Sequence, residues 1–272
     1  MSKVVITGCS SGLGKEMALW GRQVGWEVFA SVRDEAAAPF LKERGCEVGV
    51  LDLRDSDSIT RFVARVLEWS HGKIEGLVNN AGVVFGGPLE FVGREDLREQ
   101  FEVNVFGPME LTVGLLPLLR EGAGSVVMVS SVSSALTFPL YGPYSSSKRA
   151  LEALSEALLM ELEGEPVTIA LIQPGSHQSS IWEKCQKEVA PWLEDSRYGS
   201  MARGLNYFAG HKRLPPPVNV ATRVFEVLEG RRGGYRHLLP ASTAWQWRLR
   251  RWFPDGVYFG AVRRLLRRGD LG

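Results

Sequence analysis

The sequence predicts an α/β fold, a doubly wound parallel sheet flanked by helices on both faces, in a single domain with a helical C-terminal extension. Three observations predict it. Short apolar β-type runs alternate with segments of helical spacing, and each parallel crossover needs a covering helix. A Gly-rich turn joins the first strand to the first helix. No linker, internal repeat or low-complexity stretch divides the 272 residues, which are enough to bury a substantial core.

The elements follow in order. Residues 3–7 read as the first strand, 8–14 as the turn and 15–24 as the first helix. Strands at 26–32 and 47–51 bracket a helix at 36–44. Ser56–Ser70 sets Ile59, Phe62, Val63, Val66 and Leu67 at helical spacing. Residues 76–78 lead as a fourth strand into Asn79-Asn80-Ala81-Gly82. Residues 96–119 read as a long helix interrupted at Gly107-Pro108, followed by a strand at 125–130, a helix at 144–163 and a strand at 167–172. Residues 176–217 read as an irregular substrate loop, 220–229 as a helix and 237–239 as a short edge strand. The expected organisation is a domain over 1–240 and a basic aromatic extension over 241–272 packed on it.

Composition narrows the function classes. With 44% hydrophobic and 23% charged residues, the chain reads as an ordinary globular protein. A net charge of +1 gives no global pull toward nucleic acid, and no such partner is expected. Charge is uneven, because ten Arg against two Asp follow residue 230. There Trp245, Trp247, Trp252, Phe253, Tyr258 and Phe259 interleave with arginines. Peripheral membrane contact, a substrate lid and an oligomer contact are readings of this tail; an amphipathic helix packed on the domain is favoured over them. Cys9, Cys46 and Cys185 form no metal spacing and no disulfide framework, which favours a reducing cytosol and no bound metal. A signal peptide has no room ahead of the first strand, and no run of about 18 apolar residues is present. A cytoplasmic protein is the expectation.

Two constellations carry chemistry. In Thr7-Gly8-Cys9-Ser10-Ser11-Gly12-Leu13-Gly14, glycines let the backbone approach a pyrophosphate and the helix N-terminus offers free N–H groups. In Tyr144-Ser-Ser-Ser-Lys148, the phenol and the ammonium lie one turn apart on one helix face. An ammonium beside a phenol favours the phenolate, so the pair can serve as acid and base near neutral pH. Ser131, thirteen residues before Tyr144, brings a hydroxyl from the preceding strand end. Ser130 is adjacent but points to the opposite face of a strand.

The G-x-x-x-G-x-G spacing departs from the common G-x-G-x-x-G fingerprint and resembles the short-chain dehydrogenase/reductase family. The resemblance covers residues 3 to about 239. It rests on Thr7 to Gly14, Asp52-Leu53, Asn79-Asn80-Ala81-Gly82, Asn104-Val105, Ser131 with Tyr144 and Lys148, and Pro174-Gly175. It implies a Rossmann-type domain, an oxidoreductase acting on CH–OH groups with NAD(H) or NADP(H), and a homodimer or homotetramer. It implies an active-site tetrad of Asn104, Ser131, Tyr144 and Lys148. Tyr144 would exchange a proton with the substrate oxygen, Lys148 would hold the nicotinamide ribose, and Ser131 would position the oxygen. Asn104 would sit at a distorted point of its helix and link Lys148 to solvent through a water. The cofactor would lie on Gly8, Ser10, Ser11, Gly12, Leu13 and Gly14, with Asp52 at the adenine and Leu53 beside it. Asn79, Ala81, Gly82, Pro174 and Gly175 would line it, together with Tyr144 and Lys148. Ser179 stands where the family often has a Thr that contacts the nicotinamide amide.

Cofactor choice is readable at the end of the second strand. In Ala30-Ser31-Val32-Arg33-Asp34, Val32 takes the position where an acid would select NAD(H), and Arg33 suits the 2′-phosphate of NADP(H). NADP(H) is therefore the preferred cofactor, with NAD(H) as the alternative if a one-residue shift brings Asp34 to the ribose. Pocket walls are expected from residues 83–88, 132–141 and the segment after Pro174, with Tyr141 and Trp182 beside Ser131 at the substrate. His177 lies next to that segment. Such a pocket suits a hydrophobic ketone, aldehyde or alcohol. Two rival readings are a catalytically silent NADP(H)-binding sensor or scaffold and a Rossmann-type epimerase or dehydratase.

Overall fold

The computed structural model describes residues 1–175, 177, 186–210, 214–241, 252 and 254–267. Among these, seven strands form one parallel sheet: β1 (Lys3–Ile6), β2 (Glu27–Val32), β3 (Glu47–Val50), β4 (Gly76–Asn79), β5 (Ser125–Val129), β6 (Thr168–Pro174) and β7 (Arg236–Leu239). Their order is β3-β2-β1-β4-β5-β6-β7. The chain builds outward from β1 through β3, returns to the centre at β4 and winds the other way. The crevice opens where that order reverses, beyond the C-terminal ends of β1 and β4.

The helices are α1 (Gly12–Gln23), α2 (Ala38–Lys42), α3 (Ser56–Ser70), α4 (Arg94–Phe101), α5 (Gly107–Glu121), α6 (Gly142–Glu161), α7 (Gly199–Gly210), α8 (Val218–Leu228) and α9 (Asp255–Arg267). Strand alternation assigns them to layers. Val4, Ile6, Val28 and Ala30 point to one face, where Met17 and Ala18 of α1 and Val224 and Phe225 of α8 cover them. Val5, Phe29, Leu77 and Met128 point to the other, against Phe62 of α3, Leu115 of α5 and Leu151 of α6. Replacing a buried phenylalanine such as Phe62 by Ala costs about 3–5 kcal/mol.

Local chemistry sets the ends. Asp55 caps α3 by accepting from the Asp57 N–H at 3.0 Å. In the long 96–119 stretch the irregularity lies before Gly107-Pro108. A π turn spans Glu102–Phe106, and the Gly107 N–H reaches back to the Glu102 carbonyl. Pro108 has no N–H to give the Asn104 carbonyl, so the ordinary i→i−4 ladder breaks at this point. Gly107 then starts α5 hard against Leu53, where a Cβ would stand 2.3 Å from the Leu53 carbonyl oxygen.

The expectation of an irregular loop over 176–217 is corrected by α7. Its three glycines have low helix propensity, yet Gly204 is where α9 crosses: a Cβ there would lie 2.3 Å from the Leu266 carbonyl oxygen. Tyr258 of α9 donates its hydroxyl to the Thr137 carbonyl at 3.0 Å. Among the described residues, no helix is long and apolar enough to cross a membrane.

Candidate active site

A cavity of about 270 Å³ fills the crevice. At one end it is lined by the Gly-rich turn, Ser31, Arg33, Asp52 and Leu53; at the other by Ser131, Tyr144, Lys148, Pro174, Gly175 and His177, with Asn80, Ala81, Gly82 and Val83 between.

The turn is held from below. Ser31 accepts from the Gly8 N–H on its hydroxyl at 3.1 Å and from the Cys9 N–H on its carbonyl at 2.8 Å. The Thr7 hydroxyl oxygen accepts from the Asn80 and Ala81 N–H groups, both at 3.0 Å, and the Asn80 amide donates to the Thr7 carbonyl at 2.8 Å. Gly8 has φ +74°, and a Cβ on it would stand 2.8 Å from Ala81 Cα. Gly14 is equally constrained, since its Cβ would meet the Gly8 carbonyl oxygen at 2.2 Å. Ser10, Ser11, Gly12 and Leu13 line the cavity at the start of α1, whose first turn carries no acidic side chain. That end offers positive potential to an anion.

At the β2 end, Arg33 lines the cavity and Asp34 does not. Asp34 instead caps a short 3₁₀ turn by accepting from the Ala36 N–H at 3.0 Å. Asp52 lines the cavity with its carboxylate engaged by Arg54 at 2.6 Å. That guanidinium bond holds Asp52 below the usual carboxylate range, with burial opposing it and Arg33 adding a smaller pull.

At the other end, α6 presents Tyr144 and Lys148 to the cavity, with the ammonium 5.9 Å from the phenol ring centroid. Lys148 Nζ donates to the Val129 carbonyl at 2.8 Å. Burial pushes Lys148 down to about 8, with the Glu152 carboxylate opposing the fall. Ser131 sits at the end of β5, where its hydroxyl accepts from the Ser133 N–H at 3.1 Å. The neighbouring Ser130 hydroxyl is turned to Glu152, at 2.6 Å. Asn104 lies in the π turn, 1% exposed, and does not line the cavity. It reaches the site through Gly82, where a Cβ would stand 3.3 Å from Asn104 Oδ1 and 3.7 Å from Lys148 Nζ.

Several expectations change. Asn79 does not line the cavity: it is 3% exposed and donates to the Thr112 hydroxyl at 2.8 Å, tying β4 to α5. Its neighbour Asn80, on the other face by strand alternation, lines the cavity. Tyr141 also stands away from the cavity, packed on the small cluster of Leu140, Val189 and Ala202. Ser179 and Trp182 lie outside the described residues. Val83 lines the cavity as expected of the 83–88 wall, whereas Ser31, Asn80 and Gln100 had been given no role from sequence. Gln100 clamps the cavity wall, donating to the Val83 carbonyl at 2.7 Å and accepting from the Phe85 N–H at 2.8 Å. An uncharged Gln inside an otherwise charged helix (Arg94–Phe101) was its only sequence signal. His177 does line the cavity; its Nδ1 meets the Gly175 carbonyl at 3.1 Å, and burial lowers its pKa.

The family model of the short chain dehydrogenases matches residues 2–190. The chain belongs to the short-chain dehydrogenase family. Within that family it is 39% identical over 173 residues to the uncharacterized oxidoreductase YbbO of Escherichia coli K12, covering 63% of this chain and 64% of that protein. The alignment thus spans somewhat less than two thirds of that relative's length. It is 38% identical over 210 residues to the NADPH-dependent 3-dehydrocapnine reductase of Ornithobacterium rhinotracheale, covering 74% of each. Among short-chain dehydrogenases of known structure, one from Burkholderia phymatum in complex with NAD superposes with a TM-score of 0.77. It is 27% identical, and the match covers 91% of this chain and 92% of that one. The seven-stranded parallel sheet is the Rossmann arrangement those structures share.

Proposed function

We propose that this chain is an NADP(H)-dependent oxidoreductase that interconverts a hydrophobic ketone or aldehyde and its alcohol, with Tyr144 as general acid and base. One observation carries the reading: Tyr144, Lys148 and Ser131 share a single cavity with the Gly-rich turn and Arg33.

The residues present fit a dinucleotide. Side chains at Gly8 or Gly14 would collide with Ala81 or the Gly8 carbonyl and displace the turn, and the acid-free start of α1 suits a pyrophosphate. Ser10 to Gly14 would hold the phosphates, Asp52 and Leu53 the adenine, and Lys148 the nicotinamide ribose. Arg33, exposed at the cavity edge, would meet a 2′-phosphate, and the diversion of Asp34 to its cap supports NADP(H) over NAD(H). The NADPH dependence named for the Ornithobacterium reductase points the same way. The cofactor supplies the hydride.

The protein's own residues handle the proton. Ser131 orients the substrate oxygen toward Tyr144, whose hydroxyl donates to it in reduction and receives the proton back in oxidation. Lys148 remains largely charged at neutral pH, since its pKa is about 8, and its ammonium favours the phenolate. General acid–base groups so placed contribute roughly 10²–10⁴-fold to rate. A silent binding protein needs no phenol at Tyr144 beside the Ser131 hydroxyl, and their place in the cavity favours turnover over a sensor role. Val83 and Val103 give the cavity apolar wall, which suits a hydrophobic substrate. Exposed Phe106 and Val113 near and on α5, with Leu154 and Met160 on α6, support a homo-oligomer. We also propose that residues 1–240 act as one domain with the tail packed on it, supported by the contacts of Leu266 and Tyr258.

The test is a panel of ketones, aldehydes and alcohols assayed by NADPH oxidation or NADP⁺ reduction. The expected result is turnover with apolar carbonyl compounds. Cofactor binding without turnover on any class would contradict the reading.

A further inference from the structure

Behind the cavity lies a buried polar cluster that the proton chemistry above does not use. Glu152, 8% exposed, stands one turn beyond Lys148 on α6. Its Oε1 accepts from the Ser130 hydroxyl at 2.6 Å and from Gln173 Nε2 at 2.7 Å. Its Oε2 accepts from Arg236 Nη1 at 2.7 Å. Gln173 Nε2 also donates to the Ser134 hydroxyl at 3.3 Å, which in turn donates to the Ser131 carbonyl at 2.8 Å. Ser131 is thus bracketed: the residue before it is tied directly to Glu152, and its own carbonyl is tied through Ser134 and Gln173. The carboxylate also fixes the Gln173 amide, because the opposite orientation would set two oxygens against each other.

We propose that Glu152 is a positioning residue that fastens the Ser131 turn to the Tyr144/Lys148 helix and supplies the buried negative charge facing Lys148. The inference rests on the reading of Tyr144, Lys148 and Ser131 given above. One side chain then sets both the placement of the hydroxyl that holds the substrate oxygen and the charge of the lysine that assists the phenol.

The electrostatics agree with the geometry. The charged and titratable groups facing Glu152 are Arg236 from β7, Glu156 and Lys148 from α6, and Tyr235 beside β7. Gln173 from β6 and Ser130 beyond β5 are its uncharged partners. Arg236 is shared between Glu152 and Glu156. These three carry one net negative charge, which the Lys148 ammonium offsets. Tyr235 stays protonated, pushed up to about 12 chiefly by burial. Removing the Glu152 charge takes away the carboxylate that opposes burial at Lys148, so its proton is lost at lower pH.

The experiment compares wild type, Glu152→Gln, Glu152→Asp and Ser130→Ala. The Lys148 titration is read from its ¹³Cε shift in lysine-labelled protein, assigned with a Lys148→Arg control; it needs no turnover. Steady-state kcat and KM are measured alongside. In Glu152→Gln the Lys148 midpoint is expected to fall by on the order of one pH unit, and kcat at neutral pH by about tenfold or more, with KM for NADPH within about threefold. Glu152→Asp should restore most of the midpoint but not all of kcat. Ser130→Ala, which leaves the Glu152 charge in place, should lower kcat without moving the midpoint. A Lys148 midpoint identical in wild type and Glu152→Gln overturns the proposal. If Glu152→Gln does not fold, Ser130→Ala with wild-type kcat overturns it. An unmoved midpoint leaves the role of Tyr144 standing, whereas an active Tyr144→Phe would remove the parent reading and leave the titration result intact.

Discussion

Asn104 holds Val83 by both of its main-chain polar groups: Oδ1 accepts from the Val83 N–H at 2.9 Å, and Nδ2 donates to the Val83 carbonyl at 3.0 Å. The same Nδ2 donates to the Ser147 hydroxyl at 3.1 Å, so one amide joins the cavity wall to α6. Asn104→Leu removes all three bonds from a buried site. It should cost about 2–3 kcal/mol in denaturant unfolding and lower turnover at least about tenfold. Asn104→Asp keeps the acceptor for Val83 and loses the donors, so it should fall between. A Leu variant with wild-type stability and turnover would contradict this account of the wall.

Arg33 is the residue we propose discriminates between the two cofactors. Its guanidinium edges the cavity while Asp34 is spent on the Ala36 N–H. Charge-assisted hydrogen bonds contribute about 1.5–3 kcal/mol. Arg33→Ser should therefore lower kcat/KM for NADPH by roughly 10–100-fold and change that for NADH by less than about threefold. Equal losses with both cofactors would place Arg33 outside 2′-phosphate recognition.

The close approach at Gly14 predicts a packing and binding defect together. A methyl at 2.2 Å from the Gly8 carbonyl oxygen must displace the turn. Gly14→Ala should destabilise by about 1–3 kcal/mol and weaken cofactor binding, as read by thermal unfolding and by NADPH fluorescence titration. Unaltered NADPH affinity would show that the turn does not carry the cofactor.

Lys148 is held in the fold against its own solvation. Its pKa is about 8 in the folded chain and about 10.4 unfolded. Between these values the unfolded chain binds more protons, so this residue makes stability rise with pH in that window; below it the full burial penalty is present. Lys148→Met should then stabilise the protein at neutral pH, by about 1–3 kcal/mol after loss of the Val129 bond, while abolishing turnover. The stabilisation should shrink between about pH 8 and pH 10. Denaturation curves across that range check the sign; a variant less stable than wild type at neutral pH would contradict it.

The sheet was legible because apolar runs and turn glycines fall where a parallel crossover fold needs them, and Ser56–Ser70 was placed to the residue. What was not legible depended on facing. Asn79 and Asn80 are the same letter one residue apart, and only the burial of one against Thr112 separates them. The distortion at Asn104 was legible only through the family resemblance; the π turn itself follows from Pro108 four residues later, a relation that helical periodicity does not register. Helix α7 was hidden by its low-propensity glycines, of which Gly204 serves the crossing with α9. The Glu152 cluster draws on Ser130, Gln173 and Arg236, which lie 21 to 84 residues from it in sequence.

The central claim is that Tyr144 moves the substrate proton in the cavity it shares with Lys148 and Ser131. Tyr144→Phe removes one oxygen and leaves the ring, so the direct test is turnover of the best carbonyl substrate with NADPH, alongside NADPH affinity, in this variant. The account predicts a loss of at least roughly 10²-fold in kcat with NADPH affinity within about threefold of wild type. Turnover equal to wild type would contradict it.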